Sequence, residues 1–425
     1  MTFLELAYLE CFSSKNPSAS AFFSHRSAIS SAVSPSLVST RKSKMRFGSD
    51  GPYDEFHKKT RVQWHDTMKR LAGKNKIDEI IQQTAEKTTF YLEKLGSSPE
   101  GMDPRKVFMN ASINVTSGFA FEKNYDFEDE EFQKLAEYIN EFFRGLTHKS
   151  LQQMTWNILP RWICESDFYA KIWYKTPMKH FLDAVPPFHK FIYTMIKEQR
   201  KSLDHANPRN YLETLLIDAE SDPKWGYFTV VATIVGVFLG ASDTLANTMT
   251  WLALVLADHP EVQEKMNNEI KAAREIDADL KKENCPFTRS VLLESRRLNS
   301  VSDTLPHIVS EDITVKGFHI PRNSQIFGSL AAVMRDPKNF DNPSKFIPDR
   351  FIKDGRFEND PKVCGFSVGL RNCIGKSLAI EEYFAFATAM VENFRIKRVA
   401  GNMDLAKHAF LRLPIDDIRV QFLRR

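Results

Sequence analysis

Apolar residues recur at helical spacing from Lys74 to Leu95, at Ile77, Ile80, Ile81, Tyr91, Leu92 and Leu95, which predicts an amphipathic helix. The same period fits Asp129 to Arg144 and Phe188 to Leu203, with Pro177, Pro186 and Pro187 punctuating the region between them. Gly226 to Asp258 reads as one long helix; Pro260 closes it and opens the next, Pro260 to Arg274. Cys285 to Leu298 is a further short helix. From Ile313 to Leu330 the pattern changes to alternation, which predicts strands joined by a turn at Pro321 to Ser324. A loop rich in Pro, Asp and Asn runs on to Phe366, and a last helix follows Cys373 to about Phe394. The terminal IDDIRVQFL alternates like a strand. The predicted class is mainly α with a small β portion, without internal repeats.

Residues 13–44 are serine-rich and read as a loop or poorly ordered segment. A chain of 425 residues exceeds the usual domain size, so two or three domains are the first expectation and one large domain the alternative. A formal net charge of +4 is too small to argue for nucleic acid. The 33 phenylalanines supply a large core and room for a flat apolar ligand. Cys11, Cys164, Cys285, Cys364 and Cys373 are scattered and odd in number, as expected of reduced thiols on the cytosolic side.

A membrane-spanning helix needs about 20 consecutive apolar residues. The best stretch, Phe228 to Ala241, is shorter and runs into Ser242 and Asp243, so it is expected to be a buried core helix. MTFLELAYLE places two glutamates where a signal peptide would be uninterruptedly apolar.

FSVGLRNCIGKSL, Phe366 to Leu378, concentrates the candidate chemistry. Cys373 sits where a helix begins, so backbone N–H groups and the helix dipole favour its thiolate. Gly369 and Gly375 permit turns and close approach. Arg371 can offer its fork to a carboxylate, and Phe366 can shield the sulfur. One soft thiolate, with no Cys or His partner at zinc spacing, suits an iron already held in a macrocycle.

At these positions the chain resembles the cytochrome P-450 family. Phe366, Gly369, Arg371, Cys373 and Gly375 match its heme-binding loop F-x-x-G-x-R-x-C-x-G at every spacing. Glu294 and Arg297, three apart on one helical face, resemble its E-x-x-R pair 79 residues before Cys373. Asp349, Arg350 and Phe351 resemble its P-E-R-F segment. The resemblance implies that Arg350 joins Glu294 and Arg297 in a buried network that braces the heme loop. Gly240-Ala241-Ser242-Asp243-Thr244 resembles the oxygen-activation motif, in which a small residue, here Ala241, leaves room for dioxygen, a hydroxyl positions it and an acid feeds protons. A polar kink in a core helix is the plainer reading of the same residues. His307 is similar to a histidine that contacts a heme propionate, with Arg371 the stronger such partner. Where the family has W-x-x-x-R, Phe56 replaces the tryptophan and Thr60 or Arg61 the arginine.

The resemblance implies a cytochrome P-450 fold, mainly α with a small β subdomain and a long central helix over heme, across residues 45–425. Residues 1–44 form the serine-rich segment ahead of it. The phrases CPFTRSVLLESRRL and LPHIVSEDITVKGFHIP are most like the animal microsomal group that metabolises drugs and steroids. Complete members are longer at the front, so the domain is expected to be incomplete at its N-terminus. The implied activity is monooxygenation of a small lipophilic substrate (xenobiotic, steroid or fatty acid) by O2, with heme b as cofactor. Cys373 is the implied iron ligand, cradled by Phe366, Gly369, Arg371, Gly375, His307 and Ala241, with Asp243 and Thr244 catalytic. Electrons come from an NADPH-cytochrome P-450 reductase-like flavoprotein at the cytosolic face of the endoplasmic reticulum membrane, docking near Lys376, Arg395, Lys397 and Arg398. The competing readings are a non-catalytic or truncated inactive heme-binding form, and a heme-thiolate isomerase acting on peroxides, against which Asp243 and Thr244 argue.

Overall fold

The computed structural model describes residues 54–147, 178–222, 226–400, 405–407, 412–414 and 418–425. The serine-rich segment, Cys11, Cys164 and Pro177 lie outside them. The first helices are α1 (Glu55–Ala72), α2 (Lys76–Gly96), α3 (Arg105–Phe121), α4 (Glu130–Thr147), α5 (Met178–Gln199) and α6 (Tyr211–Ser221). There follow α7 (Tyr227–Ala257), α8 (Pro260–Ile276), α9 (Pro286–Leu298), α10 (Leu330–Met334) and α11 (Lys376–Asn393). Strands are short and pair in twos. The chain divides into two compact units, Met1–Ile77 with Thr116–Gly240, and Asp78–Val115 with Ala241–Arg425.

In the first unit α1 buries a stripe made largely of polar residues: His57, Thr60, Gln63, Trp64, Thr67 and Leu71. They follow the i, i+3, i+4, i+7 spacing of one helical face. Some of their polar atoms are met from α6: Thr67 and Thr214 hydroxyls lie 3.2 Å apart and Gln63 Nε2 donates to Asp218, while neighbouring Arg70 Nη2 donates to Thr214 at 2.9 Å. Trp64 packs on Phe119 and Tyr211 at ring separations of 4.5 and 5.4 Å. Helix α6 starts at a reciprocal cap: Asn210 Oδ1 accepts from Glu213 N–H at 3.0 Å, and the Glu213 carboxylate accepts from Arg209 N–H at 2.6 Å.

Helix α5 corrects the sequence reading. It runs through Pro186 and Pro187 instead of starting after them. An interior proline costs about 3 kcal/mol. Burial of Phe188, Ile192, Met195 and Ile196 just beyond supplies a compensating apolar face.

In the second unit α8, α9, α11 and a two-stranded ribbon share a core. The ribbon pairs β5 (Phe394–Ala400) with β6 (Arg419–Arg424), the terminal strand expected from alternation. Gln263 of α8 bonds both backbone groups of Ile396, at 2.9 Å each. Glu269, also on α8, accepts from Phe287 N–H and Thr288 N–H at 2.8 and 2.7 Å, so a side chain from one helix caps the next. Gly101 has φ +62°, and a Cβ there would stand 3.0 Å from the Val420 carbonyl, so only glycine fits.

The strands before α10 pair differently from expectation. β2 (Ile313–Val315) and β3 (Phe318–Ile320) form a tight hairpin across Lys316 and Gly317, both at positive φ. β4 (Gln325–Ser329) pairs with β1 (Thr304–Ile308), so the strands either side of the Pro321–Ser324 turn do not pair with each other. The two-residue turn already satisfies β3 locally and leaves β4 to the earlier strand.

Helix α7 is the only described helix long and apolar enough to cross a membrane; Thr229–Ala257 has mean hydropathy 1.7, and 61% of its most apolar window is buried. The apolar run continues beyond Asp243, so shortness does not exclude a span. Fully buried Trp251, Leu252, Ala253 and Leu254 support the core-helix reading.

Candidate heme-thiolate site

The Phe366–Gly375 segment is closed by backbone bonds. Phe366 carbonyl accepts from Cys373 N–H at 2.8 Å, and Ser367 N–H donates to Cys364 carbonyl at 2.7 Å. Between them Gly369 to Arg371 forms a single 3-10 turn. Gly369 needs φ +73°, and the place a Cβ would occupy meets nothing within 4 Å, so the backbone there is open to a flat ligand. Gly375 is the N-cap of α11 at φ −83°, an ordinary value, so no left-handed turn requires glycine there.

Of the described cysteines, Cys285 and Cys364 are buried and Cys373 is exposed. Burial, then the Glu269 charge, pushes the Cys285 thiol up to about 12, and burial also raises Cys364. Both are poor sources of thiolate. Cys373 lies two residues ahead of the N-cap of a helix of 18 residues, where N–H groups favour an anion.

Glu294 and Arg297 of α9 have fully buried side chains. Arg297 Nε and Nη2 meet the two carboxylate oxygens at 2.7 and 2.9 Å. Arg350 Nε reaches both at 3.2 Å, and Ile347 N–H adds a bond of 3.0 Å. Arg297 Nη1 donates to the Met334 and Pro343 carbonyls, both at 2.8 Å, and Arg350 Nη1 to Asp341 carbonyl at 2.8 Å. The Phe340 ring lies 5.1 and 5.8 Å from the two guanidinium carbons. Asp349 stays outside this network in an exposed pair with Lys265.

On the second unit's part of α7, Ala241, Thr244 and Thr248 are half-buried at helical spacing, while Ser242, Asp243 and Ala246 are buried. Ala241 carbonyl receives two hydroxyls, Ser112 Oγ at 3.1 Å and Thr244 Oγ1 at 3.3 Å. Asp243 Oδ2 is buried without a hydrogen-bond partner. Burial raises the Asp243 carboxyl from 3.8 to about 6, against smaller opposing effects of Asn247 and the Arg105 charge.

The donor set fits a heme. Among the described residues no three His, Cys, Asp or Glu side chains converge to hold a bare metal ion. One accessible sulfur beside open glycine backbone suits iron whose other ligands belong to a macrocycle.

A family model for cytochrome P-450 matches residues 14–421. This chain belongs to the cytochrome P-450 family. Cytochrome P-450 2C16 of Oryctolagus cuniculus is 32% identical over 342 residues, 78% of this chain and 67% of the relative. Cytochrome P-450 2H1 of Gallus gallus is 29% identical over 342 residues, again 78% and 67%. A solved zebra fish cytochrome P-450 with progesterone superposes with TM-score 0.75 at 23% identity, covering 89% of this chain and 84% of that one, which shows the shared fold. Cytochrome P-450 enzymes are heme-iron monooxygenases that use O2, a small lipophilic substrate and a redox partner.

The remaining cytochrome P-450 signature residues are placed as follows. Arg371 is half-buried in the 3-10 turn and Phe366 half-buried beside it. His307 is exposed on β1, opposite Ile326 of β4. The family's W-x-x-x-R region is α1, where Thr60 is buried and Arg61 half-buried. Of the basic residues near the loop, Arg395 and Arg398 face the carboxylates of Glu264 and Asp258. Arg296, absent from the sequence-based candidates, has its guanidinium 4.9 Å from the Phe366 ring centre. The Arg296-Arg297 doublet was its only signal.

Glu294→Gln leaves two guanidinium groups without a counter-charge, which costs roughly 3–5 kcal/mol in a buried place. Little holo-protein is expected, and hemin loss from it should be fast; normal heme content with an unchanged unfolding midpoint would disprove the brace.

Asp243 gives a pH signature. Its folded pKa of about 6 exceeds its ordinary 3.8, so the folded chain binds more protons between these values and stability falls as pH rises through them. The penalty is on the order of 3 kcal/mol above pH 7. Asp243→Asn removes it, so the variant's melting temperature relative to wild type should climb between pH 4 and pH 7. A pH-independent difference would rule out a raised carboxyl.

Proposed function

We propose that this chain is a heme-thiolate monooxygenase of the drug- and steroid-metabolising type, with Cys373 as the iron ligand of heme b. The observation that carries the ligand assignment is the contrast among the described cysteines. Cys373 alone is exposed, ahead of a helix N-terminus, whereas Cys285 and Cys364 are buried thiols with raised pKa. The resemblance to cytochrome P-450 2C16 and its kin supports a small lipophilic substrate of the xenobiotic, steroid or fatty acid class. It also supports electrons from an NADPH-dependent flavoprotein reductase and a place at the cytosolic face of the endoplasmic reticulum membrane.

Heme, when bound, supplies the iron at which O2 is reduced, one oxygen atom going to substrate and the other to water. The residues around it have separable tasks. Phe366 carbonyl fixes the Cys373 backbone, and Gly369 keeps the loop open to the porphyrin face. Arg371 and His307 are the hydrogen-bond donors assigned to the porphyrin carboxylates. Asp243, titrating near neutral pH, can both take and release a proton, the property a relay acid needs. Thr244 can turn its hydroxyl away from Ala241 carbonyl and present its proton, because Ser112 also serves that carbonyl. Ala241 offers only a methyl group beside it.

Cys373→Ser should abolish the red-shifted carbonyl band of the reduced protein and all oxygenase activity, while Cys364→Ser keeps both. The reverse pattern would move the ligand to Cys364.

Thr244→Ala should leave heme content and the carbonyl band unchanged, since alanine is the better helix former. Reduced cofactor should still be consumed, with more of it ending as hydrogen peroxide and less as oxidised probe substrate. An unchanged ratio of peroxide to cofactor would make Thr244 a back-bonding threonine only.

A further inference from the structure

Arg296 is a half-buried cation that the Glu294 network does not engage. It directly precedes Arg297, yet its guanidinium takes no part in that network and stacks on the Phe366 ring at 4.9 Å. Its Nε is buried without a hydrogen-bond partner. Desolvation holds its pKa below the ordinary value, with the Tyr383 phenol the group that opposes the shift. Tyr383 is buried on α11, the helix that follows Cys373. Arg296 therefore meets the residue that opens the Cys373 loop and lies beside the helix that closes it.

Stacking on an aromatic ring stabilises a guanidinium only modestly. Desolvating a cation, even in part, without a counter-charge costs more than such a stack returns. The imbalance is resolved if an anion belongs nearby. We propose that Arg296 is a positioning residue for the ligand loop: it clamps the Phe366 ring and supplies fixed positive charge that balances the Cys373 thiolate and the electron taken up on reduction. The inference rests on Cys373 being the iron ligand. A residue that only packed would be replaceable by any side chain of similar length; a balancing charge would not.

The test uses the heme-loaded protein and two readouts other than turnover: the ferric/ferrous midpoint potential and the rate of hemin transfer to a heme-scavenging apoprotein. Arg296→Gln should move the potential to more negative values and speed hemin loss at least tenfold. Arg296→Lys, which keeps the charge and loses the planar stack, should hold the wild-type potential. A wild-type potential in Arg296→Gln overturns the proposal even if hemin loss quickens. If Arg296→Gln yields no holo-protein, a negative shift in Arg296→Lys overturns it and an unchanged value supports it. A wild-type protein without the thiolate carbonyl band overturns the ligand reading and this inference together. The band with an unmoved potential overturns this inference alone.

Discussion

The Glu294 carboxylate is the point from which the irregular half of the second unit hangs. From Met334 to Arg350 the chain has little regular structure, so its backbone groups need other partners. Arg297 and Arg350 provide them by donating to the carbonyls of Met334, Pro343, Lys345, Asp341 and Asn342, while Glu294 accepts from Ile347 N–H. Two guanidinium groups held by one carboxylate leave an excess of positive charge, which those carbonyl dipoles absorb. Such a cluster adds little stability over an apolar one of equal volume, but losing one member exposes the rest to an uncompensated burial. It works as a specification of where this segment runs, and the segment leads directly to Cys364 and the Cys373 loop.

What the sequence revealed followed from the kind of signal each element carries. Helices α2, α8 and α9 bury apolar stripes and were legible within a few residues. Helix α1 was not, because its buried face includes His57, Thr60, Gln63 and Thr67, and a polar stripe met in part by a neighbouring helix looks like a solvated one. Strand β5 was not predicted, although Phe394 and Ile396 point inward and Arg395 and Lys397 outward, because helical and alternating patterns meet there without a turn residue. At the site, fixed spacings identified Cys373, Glu294, Arg297 and Arg350. Arg296 escaped because its role depends on a ring 70 residues later, which no local pattern records.

Helix α7 shows how little composition says about environment. By length and hydropathy it qualifies as a membrane span, yet its polar residues are engaged as core residues are. Thr248 bonds back to Thr244 carbonyl at 2.7 Å, Thr250 to Ala246 carbonyl at 2.8 Å and Asn247 to Asp243 carbonyl at 2.8 Å. These bonds satisfy hydroxyls and amides within the helix itself and leave its apolar faces free to pack. Asp243 is the exception: its Oδ2 stays buried without a hydrogen-bond partner.

Two buried acids of the second unit respond differently to burial. Glu382 on α11 is shifted by burial alone, which lifts its carboxyl well above the ordinary range. Asp243 is buried to a similar degree, but Asn247 and Arg105 pull against desolvation and hold it at about 6. The difference lies in the surroundings. α3 brings the Arg105 charge and α7 the Asn247 amide to Asp243, whereas burial acts on Glu382 unopposed.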